Sequence, residues 1–198
     1  PVHIFMPDWM TSERKQMIKK YGAFLHEVTQ EQGGFEGAVK LADQLSEEIG
    51  GFRPQQFSNL YNVDAHYKTT GLEICTQLNK LGVEPDGFVA GIGTGGTIMG
   101  VRKQLIRCHP NLKTFPLEPF ESPTISKGIK GANHRIQGIG DGFIPEIVKL
   151  ELLDEVMVIH DGDAVLMAQL LAKKLGLGVG ISSGANFLGA VMIQNKYG

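Results

Sequence analysis

The feature that most constrains this chain is a cluster of four glycines and two threonines in the seven residues 91–97, GIGTGGT. The apolar run 87–92 leads into it, and Ile98, Val101 and Leu105 follow it at helical spacing. Glycine permits a tight turn and close approach of a ligand, and successive N–H groups can then point at an anion. The N-terminus of the following helix favours negative charge at the same place. The sequence therefore predicts a phosphate-binding loop between a strand and a helix.

Two alternatives stay open for this glycine cluster. The simpler one is a tight strand-to-helix turn that needs glycine for steric reasons alone, although so many glycines and hydroxyls in seven residues disfavour it. The second is a dinucleotide-binding oxidoreductase, because Gly91, Gly93 and Gly96 satisfy G-x-G-x-x-G and Glu118 falls near the place of the ribose-binding acid. Against it, a dinucleotide loop normally follows the first strand of its domain, and several units precede this one. A P-loop is excluded because no Gly-Lys-Ser/Thr ending follows.

Short apolar runs alternate with helical patterns along the chain, which is typical of an α/β fold with a largely parallel sheet. Strands are predicted at residues 2–6, 23–28, 87–92, 114–118, 156–160 and 178–182. Helices are predicted within residues 12–21, 38–49, 70–81, 98–105 and 164–175, and from residue 185 onward. Thr11 or Ser12 is expected to cap the first helix, and a capping box of Thr70 and Glu73 the third. Residues 52–66 and 119–145 have no period, and we predict connections there.

The composition excludes several classes of protein. Apolar residues make up 42 % of the chain, charged residues 20 %, and the formal net charge is −2. These values are typical of a globular protein and unlike a disordered chain or a basic nucleic-acid binder. No apolar run reaches the roughly 18 residues of a membrane-spanning helix. The composition therefore predicts no nucleic-acid partner and no membrane partner. Cys75 and Cys108 lack metal-binding spacing, so we predict no metal site. Two cysteines are too few for a disulfide framework, and we predict that both are reduced cytosolic thiols.

Five segments of the chain together resemble the cysteine synthases, also called O-acetylserine sulfhydrylases. They are MPDWMTSERKQMIKKYGA, QQFSNLYNVDAHYKTTGLEI, GFVAGIGTGGTIMGV, HRIQGIGDGFIP and GVGISSGANFLGA. They follow the family order and extend over essentially the whole chain. The resemblance implies the tryptophan synthase β-type fold of pyridoxal-phosphate enzymes, an α/β fold with an open, mostly parallel sheet and helices on both faces. It also implies two parts, residues 1–53 as the remainder of the smaller N-terminal domain and residues 54–198 as an incomplete larger cofactor-binding domain.

Members of this family convert O-acetylserine and sulfide into L-cysteine and acetate with pyridoxal 5'-phosphate, through an aminoacrylate intermediate. The resemblance implies that the cofactor phosphate is held by Gly93, Thr94, Gly95, Gly96 and Thr97. It implies that the pyridine nitrogen is hydrogen-bonded by Ser182, and that the substrate is bound by Gln56, Gly138, Ile139 and Gly140. Cystathionine β-synthase chemistry, whose second substrate is larger than sulfide, is an alternative within the family.

The family forms its Schiff base through a lysine in an N-terminal segment, and no lysine of this sequence stands in that context. We therefore expect no catalytic residue in this chain, and we expect the chain alone to be inactive, as a fragment of a complete enzyme. The resemblance further implies amino-acid biosynthesis in the cytoplasm and a homodimer. As a further partner it implies the tail of serine acetyltransferase, which docks in the cleft of related synthases.

One residue departs from the family pattern beside the predicted cleft. Asp141 adds a carboxylate next to glycines 138 and 140, where it would shift the substrate preference toward less acidic substrates. The alternative is an acid in a solvated loop, and this is the interpretation that we prefer.

Overall fold

The computed structural model describes residues 1–129 and 133–198, so the predicted connection over 119–145 lies partly outside the described residues. The chain divides into two compact units, Pro1–Pro54 and Gln55–Gly198. Each unit combines parallel strands with helices, and the predicted α/β class is therefore correct. No helix in the described part of the chain has the length and apolar character needed to cross a membrane.

The first unit contains two parallel strands and two helices. Strand β1 (His3–Pro7) pairs with β2 (Phe24–Val28), helix α1 (Ser12–Lys20) connects them, and α2 (Gly34–Ile49) follows. Helix α1 begins where the sequence predicts, because the Thr11 hydroxyl accepts a hydrogen bond from the backbone N–H of Arg14 over 3.4 Å. The role of this unit as the remainder of a smaller domain stays a prediction.

The second unit contains a three-stranded parallel sheet in the order β3–β4–β5. Its strands are β3 (Gly87–Gly91), β4 (Lys113–Pro119) and β5 (Met157–Ile159). Its helices are α3 (Tyr61–Lys68), α4 (Thr70–Leu81), α5 (Gly96–Cys108), α6 (Thr124–Lys127), α7 (Asp161–Leu175) and α8 (Ile181–Tyr197), with a 3-10 turn at Leu150–Leu152. Since the strands are parallel, their carboxyl ends lie at one edge of the sheet, the edge at which ligands bind in open α/β folds.

Helices cover both faces of this sheet, as the resemblance implies. Along β3, Phe88 and Ala90 pack with Ile98 of helix α5. The alternate residue Val89 packs with Ala185 of helix α8, in the cluster that also contains the core residues of β4. Because successive side chains of a strand point to opposite faces, α5 and α8 lie on opposite sides.

Helix α3 lies in a segment where the sequence predicts only a connection, so this prediction is wrong. At its start, the Asn59 side chain accepts a hydrogen bond from the backbone N–H of Tyr61 over 3.0 Å. The helix then packs closely against α5 at Gly100, where an added Cβ would overlap the carbonyl oxygen of Val63. None of its residues is fully buried. Its apolar period is therefore too weak to identify a helix that is held by contacts with a distant segment.

Two further local predictions are also wrong. Residues 178–182 form no strand, because helix α8 already begins at Ile181. The capping box at helix α4 is absent, since Thr69 is the N-cap residue and makes no side-chain cap. The hydroxyl of Thr70 is instead hydrogen-bonded to Nδ1 of His66 over 3.0 Å.

The two cysteines form a disulfide, so the prediction of two reduced thiols is wrong for this structure. Cys75 lies in helix α4 and Cys108 is the last residue of α5, and their sulfur atoms are joined. Their separation of 33 residues gave no indication of this contact. Ile74 and Leu78 of helix α4 pack against the cluster that contains Val101 and Leu105 of α5, which brings the two cysteines together.

Candidate functional site

A cavity of about 340 Å³ lies at the carboxyl end of strand β3. It is lined by Ala90, Gly91, Gly93, Thr94, Gly95, Thr97, Gly138, Ile139, Ser182 and Asn186. Seven of the ten are residues that the sequence assigns to cofactor or substrate binding, from three segments that are far apart along the chain. The fold therefore brings most of the predicted site together.

The glycines of the loop are required by the close approach of neighbouring backbone and side chains. A Cβ at Gly93 would overlap the carbonyl oxygen of Gly138, so the loop and the segment 138–140 touch through their backbones. Gly95 has a φ of +86°, a conformation that other residues rarely adopt, and a Cβ there would overlap the side chain of Val148. At its glycines the loop thus presents backbone to the cavity.

Helix α5 begins at Gly96, directly after this loop. The first N–H groups of a helix have no partner within the helix, and its N-terminus carries partial positive charge. Thr94 and Thr97 add hydroxyl groups at the same cavity. A group with the charge of a phosphate suits this arrangement, because helix amides and hydroxyl groups supply donors beside the cavity.

The hydroxyl of Thr97 is connected to helix α3. It lies 3.2 Å from Nε2 of His66, whose Nδ1 contacts the Thr70 hydroxyl. The sequence reasoning missed this histidine, because it lies 31 residues from Thr97 in a segment that has no apolar period.

Ser182 reaches the cavity from the first turn of helix α8. Its backbone carbonyl accepts a hydrogen bond from the side-chain amide of Asn186 over 2.9 Å. The oxygen of the same amide accepts a hydrogen bond from the backbone N–H of Gly91 over 2.8 Å. Asn186 thus fixes the start of α8 against the end of β3. Sequence reasoning missed this residue, although its place four residues after Ser182 puts both on one face of a helix.

Three predicted site residues do not line this cavity. Gln56 is exposed, and its backbone carbonyl accepts a hydrogen bond from the side-chain amide of Asn62 over 3.1 Å. Gly96 is buried beneath the side chain of Asn62. The backbone N–H of Gly140 donates to the carbonyl of Ile92 over 3.0 Å, which fixes the segment 138–140 beside the loop.

Glu118 is not available to bind a ribose. It is 1 % exposed, and its carboxylate accepts hydrogen bonds from the backbone N–H groups of Ile125, at 2.6 Å, and Ser126, at 3.0 Å. The Ser126 hydroxyl donates to it as well. The carboxylate therefore holds helix α6 in place, which removes the acidic residue on which the dinucleotide interpretation depended.

An ion pair fixes the segment that carries Gly138. The Arg135 side chain donates to both carboxylate oxygens of Asp161, at 2.7 and 3.0 Å, and the Arg135 backbone N–H donates over 2.9 Å. The Arg135 guanidinium holds the pKa of Asp161 down at about 2. Asp161 therefore stays ionised at neutral pH and anchors this segment to the start of helix α7.

Asp141 is not the solvated loop acid that we preferred from the sequence. It is only partly exposed, and burial raises the pKa of its carboxyl group, while the charge of nearby His134 acts in the opposite direction. A carboxyl group in this environment favours its neutral form more than an exposed one does. No group of three or more His, Cys, Asp or Glu in residues 1–129 and 133–198 has the arrangement of a metal site.

With this geometry established, comparison with known proteins identifies the class. The sequence model of the pyridoxal-phosphate dependent enzymes matches residues 1–197, and the chain belongs to this family.

Its relatives within the family are cysteine synthases. The chain is 40 % identical to the cysteine synthase of Staphylococcus aureus (strain Mu50 / ATCC 700699) over 98 % of its own length and 61 % of that protein. It is 45 % identical to cysteine synthase B of Campylobacter jejuni over 97 % of its own length and 62 % of that protein. The chain thus spans about 60 % of the length of the curated relatives that it matches.

Solved structures agree with this assignment. A hydrogen sulfide-producing enzyme from Fusobacterium nucleatum superimposes with a TM-score of 0.94 at 53 % identity, over 100 % of this chain and 59 % of the other. A cysteine synthase from Entamoeba histolytica gives a TM-score of 0.81 at 38 % identity, over 94 % of this chain and 54 % of the other. The pyridoxal-phosphate enzyme fold that the sequence implied is therefore confirmed.

Proposed function

We propose that this chain is the part of a cysteine synthase that binds the phosphate of pyridoxal 5'-phosphate. The whole enzyme converts O-acetylserine and sulfide into L-cysteine and acetate. The observation that carries this proposal is the single cavity in which the loop 93–97 meets Gly138, Ile139 and Ser182. The similarity to curated cysteine synthases over nearly the whole chain supports it.

The roles of the residues follow from their chemistry. The amides at the start of helix α5 and the hydroxyls of Thr94 and Thr97 hold the phosphate. When bound, the cofactor supplies the electron sink for loss of the substrate's α-proton. The Ser182 hydroxyl hydrogen-bonds the pyridine nitrogen and, unlike a carboxylate, does not keep that nitrogen protonated. Gln56 and residues 138–140 orient the substrate, whose amino-acid carboxylate needs hydrogen-bond donors.

Among residues 1–129 and 133–198, which the structure describes, none that lines the cavity is a lysine. We therefore propose that these 198 residues bind the cofactor but do not turn over substrate by themselves, because the Schiff base and the transfer of the α-proton need an amine. A homodimer, a cytoplasmic location and the tail of serine acetyltransferase as a partner remain proposals from the family resemblance.

The rival functions that the sequence raised are not favoured. The carboxylate of Glu118, which a dinucleotide site would use, is occupied by helix α6. A cystathionine β-synthase from Helicobacter pylori that depends on O-acetylserine is 33 % identical, below the 40 and 45 % of the cysteine synthases.

A second candidate function is the release of hydrogen sulfide. The identity of 53 % to the hydrogen sulfide-producing enzyme exceeds that to the cysteine synthases. Both functions act at the β-carbon of a serine-like substrate. In synthesis sulfide displaces acetate, and in release the C–S bond of cysteine breaks, sulfide leaves and water takes its place. The direction is tested by product assays in the longest polypeptide that contains this chain. Cysteine is measured after addition of O-acetylserine and sulfide, and sulfide is measured after addition of cysteine.

Cofactor binding is tested first, by titrating the chain with pyridoxal 5'-phosphate and following absorbance and tryptophan fluorescence. We expect saturable binding of pyridoxal 5'-phosphate and no comparable binding of NAD. In Gly93→Ala we expect the affinity for pyridoxal 5'-phosphate to fall by about tenfold or more, because the new Cβ would displace the segment 138–140. Gly178→Ala is the matched control, since a Cβ at Gly178 meets no atom within 4 Å. Equal affinity in Gly93→Ala and the unmodified chain would contradict this assignment of the phosphate loop.

A further inference from the structure

The side chain of Asn62 connects the loop 93–97 to the segment that contains Gln56. Its amide nitrogen carries two hydrogen atoms and donates to the Thr94 hydroxyl oxygen over 2.9 Å and to the Gln56 carbonyl over 3.1 Å. Asn62 lies in helix α3 and does not line the cavity. Any effect that it has on a ligand therefore passes through the residues that it holds.

The hydrogen bonds to Thr94 fix the direction of its own proton. A hydroxyl group has one proton to donate and two lone pairs that accept. The Thr94 oxygen accepts from Asn62 and also from the backbone N–H of Gly96, at 3.3 Å. With both lone pairs engaged by donors, the remaining O–H group is free to donate, and Thr94 lines the cavity.

The position of the Asn62 amide is itself fixed by close packing. A Cβ at Gly96 would overlap the oxygen, carbon and nitrogen of this amide. Gly96 is buried, and it has no positive φ. The glycine at 96 is therefore required by the space that Asn62 occupies rather than by the conformation of its own backbone.

We propose that Asn62 is a positioning residue that holds the Thr94 hydroxyl as a hydrogen-bond donor to the cofactor phosphate. This inference rests on the proposed function of the loop. Through its second hydrogen bond, the same amide ties the backbone at Gln56 to the loop, so the phosphate site and the segment assigned to the substrate share one support.

The variant Asn62→Asp tests this role with almost no change in shape. A carboxylate only accepts hydrogen bonds, so the Thr94 hydroxyl turns to donate to it and no longer donates to the phosphate. The new negative charge also lies close to the site. We expect the dissociation constants for pyridoxal 5'-phosphate and for inorganic phosphate to rise by about tenfold or more. Asn79→Asp, which adds the same charge on the exposed part of helix α4, should leave both constants unchanged.

Two further readouts separate positioning from a merely structural role. The loss of affinity in Asn62→Asp, relative to the unmodified chain at the same pH, should shrink as the pH falls, because a protonated carboxyl group can donate to Thr94 again. In addition, Asn62→Ala should weaken binding in the unmodified and Thr94→Ser backgrounds but have little further effect in Thr94→Ala, where the hydroxyl is gone. Thermal unfolding of each variant identifies any loss of fold.

The outcomes distinguish this inference from the proposed function. If the chain binds both ligands and Asn62→Asp leaves both affinities unchanged, the role of Asn62 is refuted and the cofactor site stands. If the chain binds inorganic phosphate but not the cofactor, the proposed function fails, and the same variants decide the role of Asn62 with phosphate alone. If it binds neither, both proposals fail.

Discussion

At the scale of single residues, two asparagines support this site. Asn186 lines the cavity, and Asn62 does not. Each side-chain amide combines donors and an acceptor, and each joins elements that are distant in sequence: Asn62 reaches Thr94 across 32 residues, and Asn186 reaches Gly91 across 95. Asn62 thereby holds the side-chain hydroxyl of Thr94, and Asn186 holds the backbone of Ser182, and both Thr94 and Ser182 line the cavity. Glycines and hydroxyl residues therefore dominate the lining, where Asn186 is the one larger polar side chain among the described lining residues, whereas Asn62 acts from behind it.

Asp141 allows a test of how burial of a carboxyl group beside the site affects the stability of the fold. Because burial raises its pKa, the folded chain holds this proton more tightly than the unfolded chain does. The ionised carboxylate therefore costs stability as the pH rises above its ordinary pKa of about 3.9, and the full cost is present above the raised pKa. We expect Asp141→Asn to increase the melting temperature at pH 7 by on the order of 2 °C.

This gain should disappear as the pH falls below about 3.9, where the carboxyl group is neutral in both states. Glu146→Gln removes an exposed carboxylate from the same segment and serves as the control. The melting temperature of each variant is measured between pH 3 and 8. A gain in Asp141→Asn that does not change with pH would show that burial of charge is not its cause.

At residue scale, the sequence predicted the residues whose type alone suggests chemistry. The glycine cluster was predicted from a local pattern and Ser182 from the family resemblance, and both line the cavity. Asn62, His66 and Asn186 were missed because their roles depend on partners that only the folded chain brings near. The environment of Asp141 was missed for the same reason, since burial is not encoded in its neighbours along the chain.

At the scale of elements, helix α5 organises the site. Its first turn follows the glycine loop that we propose as the phosphate site, its middle packs against α3 at Gly100, and its last residue is joined to α4. Sequence periodicity predicted α5 because one of its faces is buried and apolar, and it missed α3 because that helix buries no residue completely. The run 178–182 was mistaken for a strand, because alternating glycines and aliphatic residues match a period of two.

Because a disulfide joins α4 and α5, we expect the stability of the chain to depend on whether this disulfide is reduced. It closes a segment with a sequence separation of 33 residues, and a cross-link of this size removes conformational entropy from the unfolded chain. We expect Cys75→Ser, or a reducing agent, to lower the free energy of unfolding by about 3 kcal/mol. Urea unfolding with and without dithiothreitol measures this difference.

The control for this prediction is the Cys75→Ser variant itself, whose stability should not respond to dithiothreitol. The prediction fails if the unmodified chain shows the same unfolding curve in both conditions. In that case the thiols are reduced in solution, as the sequence alone indicated.

At the scale of the whole molecule, the chain contains two compact units, and the candidate site lies in the second of them. The alternation of apolar runs and helical patterns predicted the α/β class. The resemblance predicted the enzyme family, because five motifs in order identify a fold more specifically than any single element does. Every residue that lines the cavity lies in Gln55–Gly198, and so does Asn62. The three apolar clusters that support the sheet and helices are formed within the same unit.

We therefore expect residues 55–198, produced alone, to bind pyridoxal 5'-phosphate with an affinity within about threefold of that of the complete chain, because the unit has its own core and all lining residues. The titration by absorbance is the same as for the chain of 198 residues, and circular dichroism verifies that the shorter piece is folded. Gly93→Ala in the shorter piece should weaken binding as it does in the longer one. A folded 55–198 piece that has lost the cofactor would show that residues 1–54 contribute to binding, and would overturn the assignment of the phosphate site to one unit.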